Sequence, residues 1–332
     1  MRISDIRIRK TFIDQFLWII IAVIFTIFSF WIGTNRFLSG TNLINILLHS
    51  TVLGILVIGQ SICLISGNFD LSAEGILSLT TVIAAYFMVP VKGFGGGGGF
   101  EWSPAVVIPI MLLVGTLAGF VNGLLITKFQ MNNFIVTLSM QLVYRGISYL
   151  ISGGLQIDGP PDSFNWLGSG TLGPIPFGII FTPALFVLFN WYLRNSYFGR
   201  QLYAVGSNRN AAEASGFNSG RIIRIAYMIS GFMASLAGWM LLGRVQSSYS
   251  KLGAGYTLET VAASVIGGIS LQGGAGTVGG AFAGVMLLSV VDNGLNLMDV
   301  DPFWVNGIRG FIILVALIID SQKVRYKGRE LT

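Results

Sequence analysis

Charge is scarce in this chain, and so are the side chains that do covalent chemistry. Only 10% of the 332 residues are Asp, Glu, Lys or Arg, and there is a single cysteine, Cys63, and a single histidine, His49. One thiol forms no intrachain disulfide, and the lone imidazole has no ligand set beside it, so both read as packing residues. Neither a nucleophilic triad nor a zinc site can be assembled from such a set, and no catalytic residue and no metal ligand is expected. Phosphate-binding signatures are missing too. The pentaglycine Gly95–Gly99 has no Lys-Ser or Lys-Thr after it and no strand before it, so it reads as a flexible connector. Any ATP chemistry connected with this protein has to reside on another chain.

What the chain has in excess is apolar surface. Hydrophobic residues make up 53% of it and there are 44 glycines, a composition that lipid accepts and that a water-soluble globule does not. The fold class expected is an all-α polytopic membrane protein forming one transmembrane unit over 1–332. Hydropathy and chain breakers predict about ten spans, eight to ten with some broken or re-entrant: Phe16–Thr34, Leu43–Ser66, Gly75–Val89, Pro104–Thr127, Phe134–Ile151, Phe177–Leu193, Ile225–Gly243, Tyr256–Ile269, Ala275–Val291 and Pro302–Ile319. The first has no small-residue cleavage site and is expected to be retained. The eighth is short and is followed by a run of glycines, which suggests half-helices buried in the bundle.

Cation placement sets the expected orientation. Four cations precede Gln15 (Arg2, Arg7, Arg9, Lys10), Lys128 stands in a turn, five lie in 194–224 (Arg194, Arg200, Arg209, Arg221, Arg224) and four in the tail (Lys323, Arg325, Lys327, Arg329). With fourteen of twenty cations in these segments, the positive-inside rule places both termini and the 194–224 loop in the cytoplasm. The cations are spread over juxtamembrane positions, which disfavours nucleic acid as a partner.

The 194–224 loop is patterned. Asn210 and Glu213 stand three apart, which predicts a short helix capped by Asn210, with Glu213 reaching back to its amide and Gly216 ending it. A rigid surface helix in a cytoplasmic loop suits contact with a soluble motor. Two interior segments are candidates for a translocation path. Gly67–Gly75 places Asp70 and Glu74 between apolar runs, where Asp70 or Ser72 either caps the next helix or lines a pathway. Val265–Gly280 carries glycines that continue at four-residue spacing through Gly276, Gly280 and Gly284, a flat face for close helix packing. The match of Gly67-x-Phe69-x-Leu71 with Gly267-x-Ile269-x-Leu271 hints at a weak internal repeat. Polar residues in apolar runs, Asn122, Asn133, Gln141, Asn293 and Asn296, suit either a polar lining of the bundle or helix-to-helix hydrogen bonds.

Four blocks in this order, Gly67–Gly75, Phe129–Leu150, Gly199–Gly216 and Val265–Gly280, resemble the membrane permeases of bacterial ABC importers for monosaccharides of the ribose, xylose and galactose type. The likeness runs from Asn42 to Asp320. It implies a permease that does no chemistry itself and binds no cofactor, with ATP and magnesium on partner ATPase subunits. It also implies a periplasmic or extracellular sugar-binding protein, a second permease copy or paralogue, and a location in the bacterial inner membrane. The coupling segment that the resemblance points to contains Gly199, Arg200, Tyr203, Ala204, Gly206, Asn208, Ala211, Ala212, Ser215 and Gly216, with Arg209 and Glu213 beside them. The path residues proposed on this reading are Phe69, Asp70, Ser72, Asn122, Gln141 and Asn293. Asn68 and Ala73-Glu74 depart from the family pattern, and the sugar is not legible. The competing class is an ATP-independent secondary transporter or channel, which the patterned loop disfavours.

Overall fold

The computed structural model describes residues 3–91, 97–301 and, after them, 303–305, 307–312, 314 and 318, with side chains from residue 17 onward. Arg2, Lys92, Gly95, Gly96 and the tail cations lie outside this set, as does much of the tenth expected span, Pro302–Ile319.

The chain is helical along most of its length. It runs through α1 (Ile3–Ile32), α2 (Thr34–Phe37), α3 (Gly40–Ile65), α4 (Ala73–Met88), α5 (Pro104–Lys128) and α6 (Asn133–Ser152). A two-residue strand β1 (Ile157–Asp158) precedes α7 (Asp162–Ser169). The hairpin β2 (Thr171–Leu172) and β3 (Ile175–Pro176) then leads to α8 (Phe177–Asn195), α9 (Tyr197–Ser207), α10 (Arg209–Ala214) and α11 (Ser219–Val245). Strand β4 (Ser247–Ser248), α12 (Tyr256–Ile266) and α13 (Val278–Leu297) follow. The strands tie loops only: β1 pairs with β4 through Ile157 and Ser248, and β2 with β3 through Leu172 and Ile175. They leave the all-α class unchanged.

Among the described residues six helices, α3, α5, α6, α8, α11 and α13, are long and apolar enough to cross a bilayer, and Leu17–Ile32 of α1, α4 and α12 are shorter apolar helices. At 1.5 Å per residue, the 16 residues of α4 reach about 24 Å and the 11 of α12 about 17 Å, short of the roughly 30 Å hydrocarbon core. Two helices make the centre: 83% of the apolar window of α3 and 78% of that of α11 are buried, against 28% for α5 and α6 and 22% for α8. The outer helices turn large apolar side chains outward, among them Leu142, Leu150, Val187 and Trp191, where lipid and not water is the natural solvent.

Local sequence explains where helices start and stop. Ser39, Ser103, Asn132, Ser196, Asn208, Asn218 and Thr277 each accept an amide hydrogen bond from the first turn they precede. Helices α3, α10 and α12 all end in the same left-handed closure. The Gly67 amide donates to Leu64 O and Asn68 to Cys63 O; Gly216 donates to Glu213 O and Phe217 to Ala212 O; Gly268 donates to Val265 O and Ile269 to Ser264 O. The turn-equivalent glycines of α3 and α12 are thus Gly67 and Gly268, one residue away from the register in which their sequences look alike.

Close helix contacts are made by backbone. A Cβ on Gly119 would lie 2.0 Å from the Tyr227 carbonyl oxygen, and one on Gly231 would lie 2.1 Å from that of Gly115. Gly115, Gly119 and Gly123 thus form a four-residue glycine stripe along α5 that lets α11 approach, a pattern visible in the sequence but not singled out there. The stripe that was singled out also packs: Cβ atoms on Gly280 and Gly284 would meet Gly267 O at 2.4 Å and Ala263 O at 2.0 Å, joining α13 to α12.

Gly119→Ala should therefore force the central pair apart and lower stability by about 1–3 kcal/mol, as overpacking does. Gly146→Ala, where nothing stands within 4 Å of the added carbon, should leave it unchanged. Thermal midpoints of the detergent-purified variants decide the point; equal midpoints would refute the crossing.

Candidate functional site

The break between α3 and α4 enters the bundle where no water is available to satisfy it, and Asp70 organises it. Asp70 is fully buried. Its Oδ1 accepts from the Ser72 amide at 2.9 Å and from Ser72 Oγ at 2.6 Å, and its Oδ2 accepts from Ser230 Oγ of α11 at 2.6 Å. Ser72 is the residue preceding α4, so the carboxylate holds the start of the half-span through that residue's amide. The network extends outward. Asn122 Nδ2 of α5 donates to Ser72 Oγ at 2.7 Å, and Tyr144 Oη of α6 donates to Asn122 Oδ1 at 2.9 Å. Tyr227 Oη of α11 closes it from the other side, donating to Phe69 O at 2.6 Å.

Asp70, Ser72 and Asn122 are thus engaged with protein partners on every side, and each is fully buried. Gln141 is also buried, and its Nε2 donates to Glu74 Oε1. In this conformation these residues join helices to one another. Asn293 sits elsewhere, on α13, where its Nδ2 donates to Asn42 Oδ1 of α3 at 2.9 Å. Ser230, Tyr144 and Tyr227 escaped sequence reading, although the Tyr227 and Ser230 spacing of three puts both on one face of an otherwise apolar helix.

Glu74 has its own set of partners and does not crowd Asp70. Its Oε1 faces Arg145 of α6, 2.6 Å from Nη2, with the carboxylate 5% and the guanidinium 26% exposed. Its Oε2 accepts the amides of Gly255 at 3.0 Å and Thr257 at 3.1 Å. Those amides are the orphan donors at the start of α12, a helix whose capping residue Gly255 has no side chain to offer. The negative charge also complements the positive end of the helix dipole. Thr257 Oγ1 returns a bond to Leu71 O at 3.2 Å, and Leu71 packs on Val261 and Val265. One glutamate therefore joins the two half-spans α4 and α12 to α6.

The loop 194–224 folds into α9 and α10. The capping residue of α10 is Asn208, which accepts from Ala211 N at 3.0 Å, and not Asn210, which lies inside the helix. Glu213 does not return to the cap. It meets Arg209 Nε at 3.1 Å, one turn back, and that hydrogen bond holds its carboxyl below the usual carboxylate range. Arg209, Asn210, Ala211, Glu213 and Ala214 are exposed, as are Arg200, Asn208, Ser215 and Gly216. Gly199 and Ala212 are buried within their own chain, so they support the loop's shape and are closed to an outside contact.

Helix α9 is joined to the membrane breaks by main chain. A Cβ on Gly206 would fall 1.8 Å from Ile65 O and 2.7 Å from Gly274 N, and the Gly274 amide itself donates to Ile65 O at 2.8 Å. A Cβ on Gly273 would lie 2.7 Å from Gly67 Cα and 2.8 Å from Gly206 O. Tyr203 Oη adds a bond to Gly276 O at 2.8 Å. The ends of α3 and α9 and the loop between α12 and α13 meet here largely through main chain. Among the described residues no group of His, Cys, Asp and Glu is arranged to hold a metal ion.

Comparison with known proteins gives consistent relatives. A family model described as branched-chain amino acid transport system / permease component matches residues 42–317. The ribose import permease protein RbsC of Escherichia coli (strain K12) is 33% identical over 317 residues, 92% of either chain. The galactose/methyl galactoside import permease protein MglC of the same strain is 34% identical over 322 residues, 94% of this chain and 95% of the relative. Its L-arabinose transport system permease protein AraH is 31% identical over 325 residues, 95% and 92% of the two chains. No solved structure matches.

Glu74→Gln and Arg145→Gln should each lower the thermal midpoint, since each strands a charge that the other neutralises. The double variant should lose less than the two losses together, with a coupling in the range of about 0.5–3 kcal/mol found for residues in contact. Strict additivity of the midpoint shifts would show that the pair is not a working interaction.

Proposed function

The chain belongs to the branched-chain amino acid transport system / permease component family, and from that premise we propose that it is the membrane-spanning subunit of an ATP-binding-cassette importer that carries a monosaccharide or related polyol into a bacterial cytoplasm. The family description speaks of amino acids, whereas the curated relatives are permeases for ribose, galactose and L-arabinose, which favours a sugar.

The observation that carries the reading is the union of an exposed helix, α10, with the glycine joint behind α9. Force applied to α10 from outside would reach the end of α3 and the loop between α12 and α13 largely through main chain. Such an element serves a protein driven by a soluble motor. On this reading 1–332 is one permease unit and 194–224 is its coupling loop, received by an ATPase partner that holds the ATP and magnesium. The contact surface is the exposed set Arg200, Asn208, Arg209, Ala211, Glu213 and Ser215, with Gly199, Gly206, Ala212 and Gly216 shaping it. Nucleotide binding on the partner would bias an equilibrium between outward- and inward-facing bundles. A sugar-binding protein delivers cargo on the outer side, and a second permease copy or paralogue completes the pathway. Asp70 and Ser72 then set the angle of the half-span α4 and do not bind cargo. The bias of cations supports inner-membrane insertion with both termini and α10 in the cytoplasm.

Two measurements test this. Ala211→Trp puts bulk on the exposed face of α10 and should abolish sugar-stimulated ATP hydrolysis by the assembled importer at unchanged thermal midpoint. Ala212→Trp has to displace the chain's own core and should lower the midpoint instead. Full coupled hydrolysis in a folded Ala211→Trp variant would remove α10 from the coupling role. In a Cys63→Ser background, a cysteine at Asn210 should resist an impermeant thiol reagent in intact cells while one at Thr171, exposed in the β2–β3 hairpin, reacts. Labelling of Asn210→Cys from outside would invert the topology and end the reading.

A further inference from the structure

A cavity of about 410 Å³ opens between α3, α11, the loop after β4, α12 and α13, at the end of the bundle away from α10. Its volume falls in the range of roughly 300–1,000 Å³ typical of small-molecule sites. Its chemistry differs from that of the Asp70 network, where the polar groups are consumed by one another.

Here the charges are paired but not exhausted. Arg309 reaches Glu259 Oε1 of α12 at 2.7 Å and Asp292 Oδ1 of α13 at 2.8 Å, with the carboxylates only 12% and 17% exposed. These bridges engage one oxygen of each carboxylate, and the second oxygen of each has no hydrogen bond among the described residues. Asn293, also in the wall, is 8% exposed, and its Oδ1 has no partner among the described residues. Lys251 balances the wall, so that two cations face two anions and neither a cation nor an anion is favoured as guest. The rings of Tyr249 and Tyr256 supply apolar faces.

The α3 face that lines the cavity carries further polar side chains beyond it. Asn42 and Gln60 are eighteen residues apart, which is five full turns at 3.6 residues per turn, so they share one face of α3 with His49 and Leu53 of the cavity between them. Gln60 is fully buried, and neither of its amide atoms is hydrogen-bonded among the described residues, a costly arrangement for a core position.

We infer that this cavity is a binding site for a neutral polyhydroxyl solute on its way inward, with Glu259, Asp292 and Asn293 accepting hydroxyl hydrogens, Arg309 and Lys251 donating, and Tyr249 covering an apolar ring face. The inference rests on the sugar-importer reading above and adds the site to it. Charge-assisted hydrogen bonds donated by solute hydroxyls to carboxylates already held by Arg309 fix orientation, and the balanced wall rejects charged analogues.

The test uses a reporter at the mouth, Val245→Cys in a Cys63→Ser background, in the importer assembled in lipid vesicles. D-Ribose, D-galactose and L-arabinose are offered in turn, ATP-dependent uptake is recorded, and the rate of N-ethylmaleimide labelling is followed at millimolar sugar. The sugar that is taken up should slow labelling, while D-glucuronate and D-glucosamine do not. Asp292→Asn and Tyr249→Ala should each raise the protecting concentration roughly tenfold, the loss of one good contact, measured against each variant's own labelling rate in the absence of sugar. Sustained ATP-dependent uptake with no protection by the transported sugar overturns the cavity assignment and leaves the importer reading standing. Equal protection by a charged analogue overturns the neutral selectivity. ATP-independent entry, or none for any of the three sugars, brings down the importer reading and this inference with it.

Discussion

Hydrocarbon offers no partner to a backbone amide, so every helix that stops inside the bundle needs its own substitute for water. This constraint shapes the protein. Two helices, α4 and α12, begin within it, and each start is held by a carboxylate: Asp70 at the Ser72 amide, and Glu74 at the amides of Gly255 and Thr257. Each carboxylate is compensated in turn, Asp70 by hydroxyls alone and Glu74 by Arg145 as well. A neutral shell around one and an ionic shell around the other keep two acids four residues apart from competing for the same donors.

The helix starts also determine which parts can move together. Glu74 is at once the first turn of α4, the partner of α6 and the cap of α12. Displacing α12 therefore exposes either an uncapped helix end or an unpaired arginine, and the three elements shift as a unit or at considerable cost. By contrast, α3 and α11 are the most deeply buried of the long helices and contribute many large apolar side chains to the main core.

Much of this was legible in the sequence because it is local. The helix limits followed from apolar runs and caps, and the closure of α10 at Gly216 followed from glycine's tolerance of positive φ. The errors are also local: two asparagines within three residues both suit a cap, and Asn208 wins over Asn210. What could not be read is tertiary. Nothing near Glu74 in sequence announces Arg145 or the start of α12, since those partners lie 71 and 183 positions away. Ala211 and Ala212 are indistinguishable by type, and only the packed chain decides that one faces out and the other in. The Arg309 cluster was missed for the same reason, its members being drawn from α12, α13 and the segment 307–312. Asn293 was singled out as a polar residue in an apolar run, but its partner Asn42 was not.

The glycine joint behind α9 has a consequence for what the protein can become. On the reading proposed above, a contact between main-chain segments carries no information about side chains, so a drive entering at α10 would be indifferent to whatever chemistry lines the outer cavity. A cargo site there could be redrawn by exchanging wall residues on α12 and α13 while the transmission stayed as it is. The freedom runs one way: at Gly206, Gly273 and Gly274 there is no smaller residue to retreat to, which makes the mechanical part of the molecule its least adaptable and the recognition part its most.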